Sequence, residues 1–493
     1  MGEGIIESLP AILSESAGAS PEKAALVFRN RPMPYSELDE WVRRSSAGLH
    51  SLGVRSGDRV ALLVGNVPEF IYAFLGTLSL GCVAVPLDVG LTAEELGYVL
   101  ADSGARVVTV QIDFLPPVLA IRERVPSIEH VLVVGPPPTP RGTQSFDDLL
   151  DRSIADHPMP DIRRDELAVL TYTAGSGDEP RGVMLTHGNL IATLAQVEAV
   201  PALLLERTDV VLMALSLSSF FVCNLVLGAS VREAATLVLA EGFDAEVAHG
   251  LIQESQVTAV FGTPAMFRSW LEAAESRAVD LSSLRVAVST VAPVPMDILE
   301  RFRRRFGVTI WGVYGLPETG AIVSTTALGH AERLHSIGLP VPDVEIGLVD
   351  RQGRDVEEGD PGEMIVRGPM VSTGYWNAPE ETETAFVDGW FRTGDVVYRD
   401  EDGHLFLVGR KNEVIRVSGF NVFPGEVEDV LARHPKVAAC TVSGVPDERT
   451  GEGVKAFVTL KPGEKATQEE IIEYAGMLLA RFKWPVIVEF VEA

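Results

Sequence analysis

The chain has 493 residues, is 46% hydrophobic and carries a formal net charge of −28, so it is long enough to bury large cores and to divide into several domains. So acidic a surface repels nucleic acid and anionic membranes and argues against either as a partner. Cys82, Cys223 and Cys440 stand far apart without paired spacing, which supports neither a disulfide framework nor a zinc site.

The N-terminal stretch MGEGIIESLP is acidic and lacks the long apolar core of a secretory leader. No apolar run reaches the roughly 20 residues a bilayer span needs, and the expectation is a cytoplasmic protein. Residues 33–54 read as a short strand and then an amphipathic helix ending at Gly53. DRVALLVGN (58–66), a helix over 68–81 and CVAVPLD (82–88) follow as strand, helix and strand. Both strands are continuously apolar, the mark of a parallel sheet covered on its two faces. The alternation continues through 105–110, 130–135 and 257–264 to 284–290. The fold class is α/β.

Within LTYTAGSGDEPRGVMLTHGNL (170–190) a strand feeds a glycine-rich turn, and a helix is expected from near His187. Such a turn can aim successive backbone N–H groups at phosphate oxygens. In IWGVYGLPETG (310–320), Tyr314 offers a ring face for a purine and Gly315 allows close backbone approach. From His335 to Leu407 short alternating strands separated by Gly, Pro and Asp predict a small antiparallel subdomain. Asp395, expected after a tight Thr-Gly turn, can accept from two vicinal hydroxyls, and Arg410 can close over the same diol. That pair is a candidate ribose clamp. A helix after Pro424, two strands and a final helix then complete the chain.

FRTGD (391–395), GRKNEVIRVSGFNVFPGEVE (409–428) and VYGLPET (313–319), taken together and in order, resemble the adenylate-forming superfamily of acyl-CoA synthetases, peptide-synthetase adenylation domains and luciferases. The resemblance runs from about Tyr35 to Pro485. It implies a large N-terminal domain, residues 1–412, with α/β subdomains to about 334 and the β subdomain over about 335–408. A small mobile α+β domain, 413–493, would hinge at Glu413. The resemblance further implies that Tyr314, Gly315, Glu318, Thr319, Asp395 and Arg410 bind the nucleotide, with Glu318 the ligand of any Mg²⁺. The β- and γ-phosphates of ATP would meet the loop of Thr173, Gly175, Ser176, Gly177, Asp178 and Arg181. Ser219, Phe220, Thr290, Val291 and Gly312 fall in the acyl pocket. Ser418, Gly419, Phe420 and Asn421 match the segment lining the pantetheine tunnel, with Gly419 and Phe420 framing the thiol.

The departures from the family pattern point one way. Where the family has Thr-Ser-Gly-Thr-Thr-Gly-x-Pro-Lys-Gly, this chain places Ala174 and Gly177 for two hydroxyl residues, Asp178 for a glycine and Arg181 for the lysine. A carboxylate about 4 Å from a phosphate oxygen costs roughly 1 kcal/mol in water and about 4 at an effective dielectric near 20, so Asp178 and Glu179 make a poor polyphosphate cradle. Pro317 replaces the threonine that would bind the α-phosphate. Ser216, Ser218 and Ser219 replace a Pro-x-Phe-His run and predict a pocket widened for a bulky acid, while Thr290 and Val291 replace two glycines. No lysine follows Lys483, which matches the structural Lys-x-Pro, whereas the family presents a further Gly-Lys pair during adenylation. The expected activity is therefore formation of an acyl-CoA thioester from acyl-AMP and coenzyme A, both as substrates. Adenylation is expected to be weak or lost, with Mg²⁺ binding doubtful and the adenylate supplied by a separate enzyme. The alternatives are a complete ATP-dependent acid–CoA ligase and a non-catalytic adenylate-binding protein.

Overall fold

The computed structural model describes residues 8–156, 160–173, 179–276, 279–329, 333–418, 420–447 and 449–491. It divides into two compact units, Met1–Glu345 with Val366–Phe391, and Ile346–Ile365 with Arg392–Ala493. Among the described residues no helix is long and apolar enough to cross a membrane.

The first unit is built on two mainly parallel sheets. In the seven-stranded one the order is Gln144–Ser145, His130–Val134, Val107–Gln111, Arg59–Leu63, Val83–Pro86, Leu167–Thr173 and Arg181–Thr186. Val60, Ala61, Leu62 and Leu63 are all buried in succession, since helices cover both faces, and this is why such segments read as unbroken apolar runs. The helix Pro68–Ser79 is buried nearly all round, consistent with its lack of a polar face.

The nine-stranded sheet runs Leu339–Pro340, Ser324–Thr325, Ile310–Tyr314, Val286–Ser289, Ala259–Gly262, Val210–Met213, Thr236–Leu239, Ala24–Phe28 and Arg31–Pro34. Its interior pairs are parallel and its edge pairs antiparallel. Gly262, Ser289 and Gly312 stand in register on three neighbouring strands. Their small side chains leave the carboxyl edge of the sheet shallow there, where open α/β sheets place ligands.

The path of residues 167–198 corrects the sequence reading. Between the glycine-rich segment and the helix lies a further strand, Arg181–Thr186, antiparallel to Leu167–Thr173, with Thr173 opposite Arg181. The two strands thus pair as neighbours. The helix His187–Glu198 starts only at the far end of the second strand, where Thr186 and Asn189 form a reciprocal cap. Its N-terminal N–H groups are therefore not part of the glycine-rich segment. The short strand sits at the sheet edge, and its pattern of burial is too brief to stand out from the helix that follows.

In the second unit Leu405–Arg410 pairs antiparallel with the strand Trp390–Arg399, setting Asp395 opposite Arg410. A smaller core of Ile415, Val427, Leu431, Val454, Ala456, Ile471 and Val488 follows. It joins a long hairpin, Val437–Asp447 with Gly451–Leu460, to the helices Pro424–Leu431 and Gln468–Leu478. The strand Pro485–Phe490 adds parallel to the hairpin. Cys82 and Cys223 are buried and Cys440 is half-buried; burial pushes the Cys82 thiol up to about 12, far from a thiolate nucleophile.

A buried ionic cluster closes part of this unit. The Glu363 carboxylate receives Arg392, and Lys411 at 2.9 Å. Burial works against its ionisation, but hydrogen bonds from both cations outweigh that and hold the carboxyl below its ordinary range. Because the folded value is depressed, the contribution to stability is present above the unfolded carboxylate pKa and is lost as pH falls through the lower folded value. Glu363→Ala is expected to reduce unfolding free energy by about 1–3 kcal/mol at neutral pH, with a smaller difference from wild type in acid. Urea denaturation at both pH values checks this, and an equal difference at both would contradict the ionic account.

Candidate active site

The strand Ile310–Tyr314 ends at the carboxyl edge of its sheet and runs into the 3-10 turn Pro317–Thr319. Gly315 is required between them: a Cβ there would lie 2.2 Å from the Ala321 carbonyl oxygen and 2.7 Å from the Ile322 nitrogen. Pro317 opens the turn, a position whose N–H has no partner within the turn. Thr319, expected among the nucleotide contacts, is fully buried. Its hydroxyl accepts from the Leu316 N–H at 2.9 Å and donates to the Leu316 carbonyl at 3.0 Å. Glu318 is 8% exposed, and its Oε1 accepts a 3.0 Å hydrogen bond from the Tyr375 hydroxyl.

Thr173 and Arg181 face each other at the base of the hairpin. Gly175, Ser176, Gly177 and Asp178 lie outside the described residues. The Arg181 guanidinium sits 5.7 Å above the centre of the Tyr375 ring. Glu179 is hydrogen-bonded to the Tyr98 phenol, so this carboxylate has a partner on the helix Ala93–Ser103. Tyr375 itself was not among the residues singled out from the sequence. The Gly374-Tyr375-Trp376 run, an aromatic pair after a glycine, is the signal that could have marked it.

On the expected acyl side, Ser216 and Ser218 are hydrogen-bonded to each other at 2.8 Å, while Ser219 is exposed. Phe220 and Phe221 are buried, and Phe221 packs against Phe261 with ring centres 6.3 Å apart. Residues Phe221–Val226 form a π-helix, a local widening often found at functional sites. Thr290 donates its N–H to the Gly262 carbonyl at 3.0 Å. Val291 has φ of +79° and is 84% exposed, a strained conformation for a β-branched residue. Gly312 has room to spare, its nearest neighbour to a built Cβ being the Thr326 methyl at 3.5 Å.

Within the second unit Asp395 is 3% exposed and pairs with Arg410 Nε at 3.1 Å. The expected Thr-Gly turn before Asp395 is absent. Residues Trp390–Arg399 form one strand, in which Gly394 takes φ of +72°. Gly394 thus bends the strand locally and accepts from the Lys411 N–H at 2.8 Å. Glu413 lies in an exposed turn, its N–H bonded to the Arg410 carbonyl at 3.1 Å. Ser418 has φ of +52° and donates its N–H to Thr450 at 2.8 Å. Gly419 lies outside the described residues, as does the side chain of Asn421, whose backbone belongs to the strand Phe420–Val422. Phe420 is 55% exposed and stacks on Phe482 with centres 4.6 Å apart. Lys483 pairs with Glu426, a structural use of that lysine.

The family model described as AMP-binding enzyme matches residues 13–376, and that described as AMP-binding enzyme C-terminal domain matches 426–493. A feruloyl-CoA synthase of Amycolatopsis sp is 34% identical over 486 residues, covering 97% of this chain and 93% of that protein. A long-chain-fatty-acid–CoA ligase of Bacillus subtilis (strain 168) is 30% identical over 510 residues, covering 98% and 91%. Among solved structures, the anthranilate CoA ligase AuaEII in complex with anthranoyl-AMP superposes with a TM-score of 0.90 at 29% identity, covering 99% of this chain and 94% of that one.

Proposed function

On the premise that the chain belongs to the AMP-binding enzymes and is an acyl-CoA ligase, we propose that its second half-reaction, acyl transfer from acyl-AMP to coenzyme A, is strong and its first, adenylation, is slow. The observation that carries the reading is the turn Pro317–Thr319. Pro317 offers neither hydroxyl nor N–H, and the Thr319 hydroxyl is spent on Leu316, so this turn holds out no hydroxyl to an α-phosphate. Preorganised donors at a reacting phosphoryl group are typically worth about 10²–10³ in rate.

Thioester formation asks less of the protein. The CoA sulfur attacks the acyl carbonyl of a mixed anhydride already activated, and AMP leaves with the bonding electrons. The work is positioning. Tyr314 stacks on adenine, Asp395 and Arg410 hold the ribose, and Phe420, in the segment 418–421, borders the path of the thiol. The lid of residues 413–493 turns about Glu413 between the two half-reactions. Glu318 would be the protein ligand of any magnesium ion, which when bound would neutralise phosphate charge. A separate adenylating enzyme then supplies the mixed anhydride.

The test sets free acid with ATP and CoA beside a panel of synthetic acyl-adenylates with CoA. The reading expects thioester from an adenylate at least about 10²-fold faster than from the free acid, the size of one lost donor. The near-complete coverage of full ligases favours a second reading, a complete ATP-dependent acid–CoA ligase. Equal rates from both substrates, with pyrophosphate released, would establish that one instead.

A further inference from the structure

We propose that Tyr375 is a positioning residue for phosphoryl transfer, seating Glu318 and Arg181 against each other. Three observations meet at this side chain. Its hydroxyl donates to Glu318 Oε1 at 3.0 Å, its ring face carries the Arg181 guanidinium at 5.7 Å, and its ring edge packs on Phe386 with centres 5.7 Å apart. One aromatic residue thus touches the cation at the end of the expected phosphate loop and the carboxylate of the nucleotide turn. In water an arginine and a glutamate could each wander over several rotamers; a buried phenol fixes both at little entropic cost, because it has only two side-chain torsions of its own.

The backbone around Tyr375 is held to match. The Tyr375 N–H donates to Thr382 Oγ1 at 2.9 Å. Val183 and Tyr375 form an antiparallel bridge, with Met184 N–H on the Gly374 carbonyl at 3.0 Å and Trp376 N–H on the Gly182 carbonyl at 2.7 Å. The Ser372 N–H donates to the Glu318 carbonyl at 2.8 Å. Residues 372–376 are therefore laced to the hairpin strand on one side and to the nucleotide turn on the other.

The inference rests on the ligase reading above, and the experiment separates the two. Acyl-adenylate is supplied with pyrophosphate, whose oxygen attacks the α-phosphorus. The bond from phosphorus to the acyl oxygen breaks, the carboxylate leaves, and ATP forms and is read by luminescence. In a parallel reaction the same adenylate meets CoA and thioester is read. Tyr375→Phe keeps the ring under Arg181 and against Phe386 and removes only the hydroxyl. It is expected to slow ATP formation about 10- to 100-fold, the usual range for a group that orients a ligand residue, and to slow thioester formation far less, with some loss in melting temperature because the buried Glu318 carboxylate loses a donor. Glu318→Gln should slow ATP formation similarly, and the double variant should be no slower than the slower single one. An equal fall in both half-reactions, or a double effect equal to the product of the singles, overturns the positioning role. Wild-type protein that makes thioester while Tyr375→Phe makes ATP at the wild-type rate overturns it and leaves the ligase reading intact. Wild-type protein that makes thioester but no ATP overturns the positioning role and leaves the ligase reading intact, and wild-type protein that makes neither product removes both.

Discussion

Asp395→Ala weakens binding of an acyl-adenylate by at least about 10²-fold, while an analogue lacking the ribose 2′- and 3′-hydroxyls binds the variant and the wild type alike. The size follows from two hydrogen bonds to a charged acceptor at about 1.5–3 kcal/mol each, where 1.4 kcal/mol is tenfold. Asp395 is almost fully buried and its carboxylate is held by the Arg410 Nε at 3.1 Å, so its direction is fixed before a ligand arrives. Arg410 is more than half exposed, and its loss of a partner in the variant costs little stability. Calorimetric titration with the two ligands checks the claim. A variant that still prefers the diol by the wild-type margin would place the ribose elsewhere.

Gly315→Ala is the second large effect, a fall of about 10²-fold in thioester formation that Gly312→Ala does not share. The two glycines are three residues apart at the end of one strand, yet a Cβ at 315 meets backbone atoms at 2.2, 2.5 and 2.7 Å, and one at 312 meets a threonine methyl at 3.5 Å. Backbone cannot be displaced as a side-chain tip can, so the methyl at 315 must push apart the Tyr314 and Ala321 segments and move the Tyr314 ring. At 312 it fits at ordinary contact distance and should change acyl preference at unchanged melting temperature. Rates and melting curves for the pair decide it. Equal tolerance of both substitutions would mean that Tyr314 does not need its present position.

Much of the architecture was legible because buried parallel strands write themselves as apolar runs. The segments around Val60, Val85 and Val108 could hardly be anything else. The strand Arg181–Thr186 was not legible: it is an edge strand of six residues between a glycine-rich loop and a well-capped helix, and its neighbours carry louder signals. The π-helix over Phe221–Val226 has no sequence period of its own. At Asp395 the motif suggested a turn where the strand runs on, since a glycine at positive φ serves a kinked strand as readily as a turn. The Thr319 hydrogen bonds to Leu316 were not legible, because a sequence records that a hydroxyl exists and not which way it turns. Tyr375 escaped because its partners, Arg181 and Glu318, are 194 and 57 positions away, and one sequence carries no record of such pairings.

The discontinuity of the first unit sets an order on biosynthesis. A nascent chain that has emerged only through residue 345 lacks Val366–Phe391, and so the strand Arg181–Thr186 still waits for the Tyr375 bridge and Glu318 for its phenol. Folding on the ribosome cannot simply close the first unit before the second begins. Residues 346–365, which belong to the second unit, leave the ribosome before the segment that completes the first.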